Sequence, residues 1–148
     1  MVAVQELLQL DFGQARKVCP PPIDRARQER GRLAYLSGQF AEDSVARFLQ
    51  QSGLTVIERR WRGAAGEIDM ICRAGSCVVF VEVKRAATHA EAALRLSAAQ
   101  QGRICLAAQE YCGRLPGGQS TEMRFDLLTV DALGRIEHLE NAFGGAFC

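Results

Sequence analysis

The sequence predicts a single α/β domain built around a mixed sheet. Two observations carry this prediction. A helical pattern is followed by three closely spaced strand patterns and then by a second helix and further strands, an order typical of α/β folds. Of the 148 residues, 48% are hydrophobic and 24% are charged, which is the balance of one folded domain. We expect a loosely ordered N-terminal arm over residues 1–30 and one domain over residues 31–148.

The first helix is predicted from Leu33 to Ser52. At 100° per residue its polar side chains gather on one side and its apolar side chains on the other, and Gly53 ends the pattern. Alternating or apolar runs then predict strands. These strands cover residues 54–61, 67–72 and 77–84.

The third strand is expected at the centre of the sheet. Cys77–Val81 is apolar without alternation, as in a strand that is covered on both faces. Ser97 and Gln100 have the spacing of a capping box, which predicts the start of a second helix. Two more strands are predicted over residues 123–130 and 135–139, which completes a mixed α/β sandwich.

Charge and cysteine content exclude several classes of protein. The 18 Lys and Arg residues against 17 Asp and Glu give a net charge of +1, so no global positive field would hold nucleic acid. Lys17 and Lys84 are the only lysines. The six cysteines lack a CxxC or Cys/His ligand spacing, and no long apolar run follows a basic N-terminus. We therefore expect a reduced, cytoplasmic protein without a membrane partner.

Three carboxylates are predicted to share one face of the hairpin formed by the second and third strands. If its turn is even-numbered, with Cys72 facing Cys77, Glu67 lies opposite Glu82 and Asp69 lies diagonally beside it. Such carboxylates repel one another, and a hard divalent cation would relieve the repulsion. The structural alternative is that these residues are solvated strand ends, with Glu67 paired to an arginine.

Three other residues are candidates for the same site. Glu42 falls inside the apolar arc of the first helix, where a carboxylate needs a positive partner; the alternative is a core-edge glutamate paired with Arg59 or Arg60. Gln101 falls in the apolar stripe of the second helix. Its amide would support a bound water or a phosphate, and the alternative is a glutamine of the core. Lys84 would serve an attacking water and a phosphoryl oxygen, or form one salt bridge.

Basic residues beside the only tryptophan offer contacts to phosphates. The candidate nucleic-acid-binding residues are Arg59, Arg60, Arg62 and, on the second helix, Arg103. Runs of arginine are usually solvated, so these residues alone do not establish a function.

Several short motifs occur along the chain, in this order: Gly38–Asp43, Gly66–Ile71, Val79–Lys84, Gln101, Arg124–Asp126 and Asn141–Phe143. Together they resemble the YraN family of small bacterial endonuclease-like proteins. The resemblance implies the fold of the PD-(D/E)XK nuclease superfamily, with a restriction-endonuclease-like α-β-β-β-α-β core and a mixed central sheet flanked by helices. Related proteins include Holliday-junction resolvases. The chain departs from the pattern at Ile68 in place of proline, Gln100 in place of lysine and Arg60 in place of asparagine.

The resemblance also implies roles for individual residues. Asp69 and Glu82 match the metal-binding acids, Lys84 the catalytic lysine and Glu42 the helix acid, with Mg²⁺ or Mn²⁺ as the cofactor. The function implied is a metal-dependent phosphodiester hydrolase, a nuclease acting on DNA rather than RNA, with branched or structured DNA as one candidate substrate. Two alternatives stay open: a nucleic-acid-binding accessory protein with weak or no catalysis, and a structural ion-pair cluster in an interaction module. A homodimer is compatible with either function.

Overall fold

The computed structural model describes residues 25–145, with only the backbone described for Leu36. The elements in chain order are α1 (Arg25–Gln51), β1 (Thr55–Arg62), β2 (Glu67–Ala74), β3 (Cys77–Arg85), α2 (His89–Leu94), α3 (Ala98–Gly113), a 3-10 turn (Gly118–Ser120), β4 (Met123–Val130) and β5 (Ile136–Phe143). The predicted order and the α/β class are confirmed. The one helix not predicted is α2, whose N-cap Thr88 accepts a hydrogen bond from the Glu91 N–H.

Helix α1 begins eight residues before the predicted start at Leu33. Residues 25–32 are polar, basic or small, so hydrophobic periodicity gives no signal there, although most of them favour helix. They are also exposed. Residues 25–33 and residues 34–145 group as separate units. The rest of the expected arm, residues 1–24, lies outside the described residues.

The five strands form one mixed sheet in the order β1-β2-β3-β4-β5. The first three strands are an antiparallel meander, β3 pairs with β4 in parallel, and β4 pairs with β5 antiparallel. The parallel step requires a crossover, which α2 and α3 supply. β3 is therefore the middle strand, and Val78–Glu82 is buried throughout, as its unbroken apolar run predicted.

Apolar side chains cover both faces of the sheet. One cluster joins α1 to the sheet, where Val45 and Leu49 of the helix pack with Val81 and Leu128. The other joins α3 to the opposite face, where Tyr111 stands edge-on to both Trp61 and Phe80. The sheet is thus a central layer between helices, which is the layered core that the sequence motifs implied.

The turn between β2 and β3 is shorter than predicted. It consists of Gly75 and Ser76 only, and Ala74 pairs with Cys77. The predicted register, with Cys72 facing Cys77, is therefore wrong by two residues. The physical reason is Gly75, whose φ of +61° suits a two-residue turn of the kind that matches strand twist. Because the shift is an even number of residues, the paired positions keep the predicted parity.

The cysteines of the described residues are of two kinds. Cys72, Cys77 and Cys112 are free thiols, and burial raises the pKa of each. Cys105 on α3 is disulfide-bonded, so the expectation of a reduced chain is not met at that position. Within residues 25–145, no helix is both long enough and apolar enough to cross a membrane.

One buried carboxylate of the sheet is fully satisfied by hydrogen bonds. Asp126 on β4 is inaccessible to solvent and receives both Nε and Nη2 of Arg124 at 2.8 Å. His138 Nε2 lies 2.7 Å from its second oxygen, and the Asn141 N–H donates to the first at 2.9 Å. This network ties β4 to β5 and serves the stability of the sheet.

We predict that Asp126→Asn costs about 3 kcal/mol of unfolding free energy, because it removes the buried counter-charge of Arg124 and leaves only the exposed Glu140, 3.8 Å from the guanidinium. The matched control is Asp43→Asn, which breaks an exposed pair with Arg59 and should cost about 0.5 kcal/mol. Urea unfolding of both variants checks the prediction. Equal losses would show that the buried network contributes no more than a surface pair.

Candidate functional site

Strands β2 and β3 separate at one end of their ladder, and Asp69 lies at the separation. Their pairing extends from the turn as far as Met70 and Val81. Beyond that pair β3 continues beside β4 as far as Arg85, while β2 stays paired only with β1. The first free N–H of β3, that of Val83, donates to Asp69 Oδ2 at 2.8 Å. A carboxylate thus takes the place of a strand carbonyl at this point.

The environment of Asp69 disfavours its charge. Burial is the largest cause and the charge of Glu82 the second, and together they raise the pKa of Asp69 to about 7. The Val83 N–H opposes this rise, and the charge of Glu42 adds to it. At neutral pH a proton and a metal cation would therefore both find a favourable position here.

Glu82 is the more deeply buried carboxylate at the separation, with 4% of its surface exposed, whereas Asp69 is partly buried. Its Oε1 lies 2.9 Å from Lys84 Nζ and accepts a hydrogen bond from Gln100 Nε2 at 2.7 Å. Lys84 lies two residues further along β3, so both side chains leave the strand on one face. We call Asp69, Glu82, Lys84 and Gln100 the strand-end site.

Gln100 is the member that sequence reasoning did not identify. The predicted capping box is half formed, since Ser97 Oγ accepts from the Gln100 N–H at 3.1 Å. The Gln100 side chain binds Glu82 rather than the backbone at the start of the helix. The Ser97–Gln100 spacing was the sequence feature that placed Gln100 in the first turn of α3. Gln101, the predicted site residue, donates instead to the Leu96 carbonyl, 3.5 Å away, and it is Gln100 that contacts Glu82.

Glu42 on α1 lies near the strand-end site but is already paired. Arg60 on β1 binds both of its oxygens, Nε to Oε2 at 2.9 Å and Nη2 to Oε1 at 3.1 Å. Glu42 is close enough for its charge to act on Asp69. The structure therefore combines two interpretations of the sequence: Glu42 is near the other acids, and it is also a glutamate paired with an arginine.

The remaining basic candidates divide into paired and unpaired residues. On β1, Arg59 contacts Asp43 at 2.6 Å and Arg62 contacts Glu67 at 2.8 Å. Glu67 thus forms the arginine pair that was the structural alternative for it. Arg103 on α3 is exposed and has no acidic partner among residues 25–145. Of the four predicted arginines, it is the one whose charge is not already balanced by a carboxylate.

Donor chemistry decides which ion the site fits. Asp69 and Glu82 provide carboxylate oxygens, the ligands of a hard divalent cation such as Mg²⁺, and their mutual repulsion falls when a cation lies between them. The part of the chain that the structure describes contains no group of three or more His, Cys, Asp or Glu side chains arranged to hold a metal. The residues present fit an ion held by two carboxylates and water, and they do not fit zinc.

The sequence profile of the uncharacterised protein family UPF0102 matches residues 41–130. The chain belongs to the UPF0102 family. A UPF0102 protein of Cereibacter sphaeroides is 53% identical over 113 residues, which are 76% of this chain and 97% of that protein. One of Ruegeria pomeroyi is 48% identical over 120 residues, or 81% of this chain and 98% of that protein. One of Roseobacter denitrificans is 45% identical over 121 residues, or 82% of this chain and 94% of that protein.

UPF0102 membership confirms the resemblance to the YraN family. The matched residues include the whole strand-end site and the Glu42–Arg60 pair. The family description gives no activity, so chemistry has to be argued from the side chains themselves.

We predict that Asp69→Asn stabilises the metal-free protein by about 0.5–2 kcal/mol at pH 8. Asparagine removes the crowded charge and still accepts the Val83 N–H. The folded state of the parent binds a proton at Asp69 near pH 7, whereas the unfolded chain does so only near pH 4. The parent should therefore approach the stability of the variant as the pH falls from 8 towards 5.

Denaturant unfolding in chelator, at several pH values, measures this difference. Glu67→Gln is the matched control, because it removes an equal charge from the same strand at an arginine-paired side chain. It should leave the pH dependence of the parent unchanged. An Asp69→Asn variant less stable than the parent at pH 8 would mean that the Asp69 charge is a structural requirement.

Proposed function

We propose that this protein is a metal-dependent phosphodiester hydrolase acting on DNA. The single observation that carries the proposal is the convergence of a buried carboxylate, a partly buried carboxylate and one ammonium at the strand-end site. The backbone N–H of Val83 fixes Asp69, while Gln100 and Lys84 fix Glu82. Holding such like charges together costs stability, and a functional need is the ordinary reason for that cost.

Asp69 and Glu82 would hold Mg²⁺ or Mn²⁺. A divalent ion bound there supplies Lewis-acid stabilisation of phosphoryl charge and a lowered pKa for bound water. The protein's own contribution is to fix the two carboxylates before any ion arrives. Gln100 is important in this respect, because its amide holds Glu82 from α3 and so couples the helix to the strand.

Lys84 would serve the attacking water and the phosphoryl oxygen. Its ammonium is mostly buried and already directed into the site by Glu82, 2.9 Å away. In that position it can donate hydrogen bonds to a phosphate oxygen and hold or move a proton of the attacking water. Lysine suits this task better than arginine, because its ammonium is a compact point charge on a flexible stem.

A DNA strand is the substrate that the basic residues favour. Arg103 lies one turn beyond Gln100 on α3, and a Cβ placed on Gly66 would lie 3.9 Å from the Arg103 Cβ, so the arginine is next to the start of β2. Its unbalanced charge is available to a backbone phosphate near the strand-end site. DNA and free Mg²⁺ occur together in the cytoplasm, which we propose as the compartment.

The alternative function is a nucleic-acid-binding accessory protein that does little chemistry. The observation that favours it is the Glu42–Arg60 pair, because both oxygens of the third nearby acid are engaged. The two functions differ in what Lys84 does, and a substitution there separates them.

We predict that Lys84→Met lowers single-turnover cleavage of DNA at least 100-fold, the order of magnitude of a lost acid–base group. Binding of Mn²⁺, measured by calorimetry, should persist, since Asp69 and Glu82 remain. Asp69→Ala should lose both cleavage and Mn²⁺ binding. The assay uses linear, flapped and four-way DNA with Mg²⁺ or Mn²⁺.

Arg73→Met is the matched control for Lys84→Met, because it removes one positive charge from an exposed position at the far end of the β2–β3 ladder. It should cleave at the parental rate. A parent whose cleavage neither Lys84→Met nor Asp69→Ala reduces would identify a contaminating nuclease, and the accessory function would then stand.

We also predict that Arg103→Ala weakens DNA binding about three- to tenfold at low salt and lowers its salt dependence, because it removes an unbalanced charge. Arg59→Ala should change affinity by less than about twofold, since Asp43 already neutralises that side chain. Fluorescence anisotropy in chelator, which prevents cleavage, provides the affinities. A larger loss for Arg59→Ala would place the DNA along β1 instead.

A further inference from the structure

The contact between Arg60 and Glu42 is built differently from the neighbouring arginine pairs. Arg60 uses two nitrogens on two carboxylate oxygens, whereas Arg59 and Arg62 each donate one hydrogen bond to their carboxylate. Such a bidentate pair has a fixed geometry and is stronger than a single contact. Glu42 is also the more sheltered acid, with 17% of its side chain exposed against 52% for Asp43.

Arg60 is held in this position by its backbone and by an aromatic ring. Its φ is +51°, a left-handed conformation that side chains other than glycine and asparagine rarely adopt. Its guanidinium lies 5.7 Å from the centre of the Tyr35 ring. Tyr35 is itself held, since its hydroxyl accepts a hydrogen bond from Gln39. The strained backbone therefore persists where several contacts converge on one guanidinium.

Arg60 and Asp69 fall in the same interval of the β1–β2 ladder. Arg59 pairs with Met70 and Trp61 pairs with Ile68, and Arg60 on β1 and Asp69 on β2 lie between these two pairs. The Asp69 side chain accepts from the Val83 N–H, while the Arg60 side chain binds Glu42. Three acids lie near this point, and two of them are paired: Glu42 binds Arg60 and Glu82 binds Lys84, while Asp69 has neither cation as its partner.

The same pair borders open space. A cavity of about 260 Å³ lies beside it, bounded by Gln39, Glu42, Asp43, Arg59 and Arg60. Solvent and small ions can therefore reach the side of Glu42 that Arg60 occupies. A divalent cation and a guanidinium compete for the same carboxylate oxygens. The two oxygens of Glu42 cannot bind the cation while both are bound to Arg60.

We propose that Arg60 is an internal competitor for Glu42, which keeps this carboxylate from an ion at Asp69 and Glu82 and so limits the affinity of the protein for divalent cations. This inference rests on the proposed function, because it concerns the same site. Arg60 is a positioning residue that acts through Glu42. Its release by an entering ion would free one guanidinium beside the strand-end site for a substrate phosphate.

The test is a calorimetric titration with MnCl₂ alone, without DNA. Arg60→Asn removes the guanidinium and keeps a residue that tolerates the left-handed backbone. We expect it to bind Mn²⁺ about tenfold more tightly than the parent, since ligand charge sets the affinity of such sites. Arg59→Asn removes the same charge one residue away and should change the affinity less than about twofold.

A double-mutant cycle isolates the role of Glu42. The tightening by Arg60→Asn should disappear when Glu42 is also changed to Gln, because no carboxylate is then released. Tightening that persists in the Glu42→Gln background, or equal tightening by Arg59→Asn, would overturn the proposal and leave only a general charge effect. If Arg60→Asn fails to fold by circular dichroism, Arg60→Lys replaces it, since lysine keeps the charge but not the bidentate pair.

Asp69→Asn separates this inference from the proposed function. If it abolishes Mn²⁺ binding while Arg60→Asn leaves the affinity at the parental value, the metal site stands and the role of Arg60 is refuted. If Mn²⁺ binding is unaffected by Asp69→Asn, or if neither the parent nor Arg60→Asn binds Mn²⁺, the metal site itself is refuted and the inference with it.

Discussion

The hydrogen bond from the Val83 N–H to Asp69 is the contact on which the candidate site depends. A strand that leaves its neighbour exposes backbone donors, and a buried donor without a partner is costly. Asp69 meets that need with a side chain, so β2 can depart from β3 while β3 stays extended beside β4. The opening between the strands exists because a carboxylate replaces a carbonyl there, and the same carboxylate is then fixed at the place where chemistry would occur.

The layers of the fold bring the other groups to this opening. Glu82 and Lys84 come from the middle strand, which stays paired with β4 beyond the point where β2 departs. Gln100 comes from α3 on one face of the sheet, and Glu42 comes from α1. Each group is thus carried by a regular element rather than by a loop, so little conformational freedom remains to be lost on binding. Asp126 differs from the acids of the site, because both of its oxygens accept hydrogen bonds from protein groups and neither is available to a ligand.

Sequence patterns predicted the layers well and the contacts less well. The apolar run of β3 and the two faces of α1 follow directly from periodicity, which depends only on local geometry. The register of the hairpin depends on one backbone angle at Gly75, which periodicity does not encode. The helical periodicity of α3 predicted Gln101 as the site residue, but the adjacent Gln100 contacts Glu82. The N-cap Ser97 sets the orientation of the first turn of α3, and periodicity does not include this effect. Arg59 and Arg60 of β1 pair with Asp43 and Glu42 of α1, and these contacts depend on how the helix packs on the sheet, which local patterns do not encode.

Strand β1 is one edge of the sheet, and its irregularity has a consequence for association. An open edge presents a row of N–H and C=O groups that another chain can extend. In β1 this row is broken by a bulge between Val56 and Glu58 and again by the left-handed residue Arg60. An incoming strand would find neither regular spacing nor a flat surface. The edge next to the candidate site is therefore poorly suited to strand addition, so the sheets of neighbouring copies do not readily join through β1.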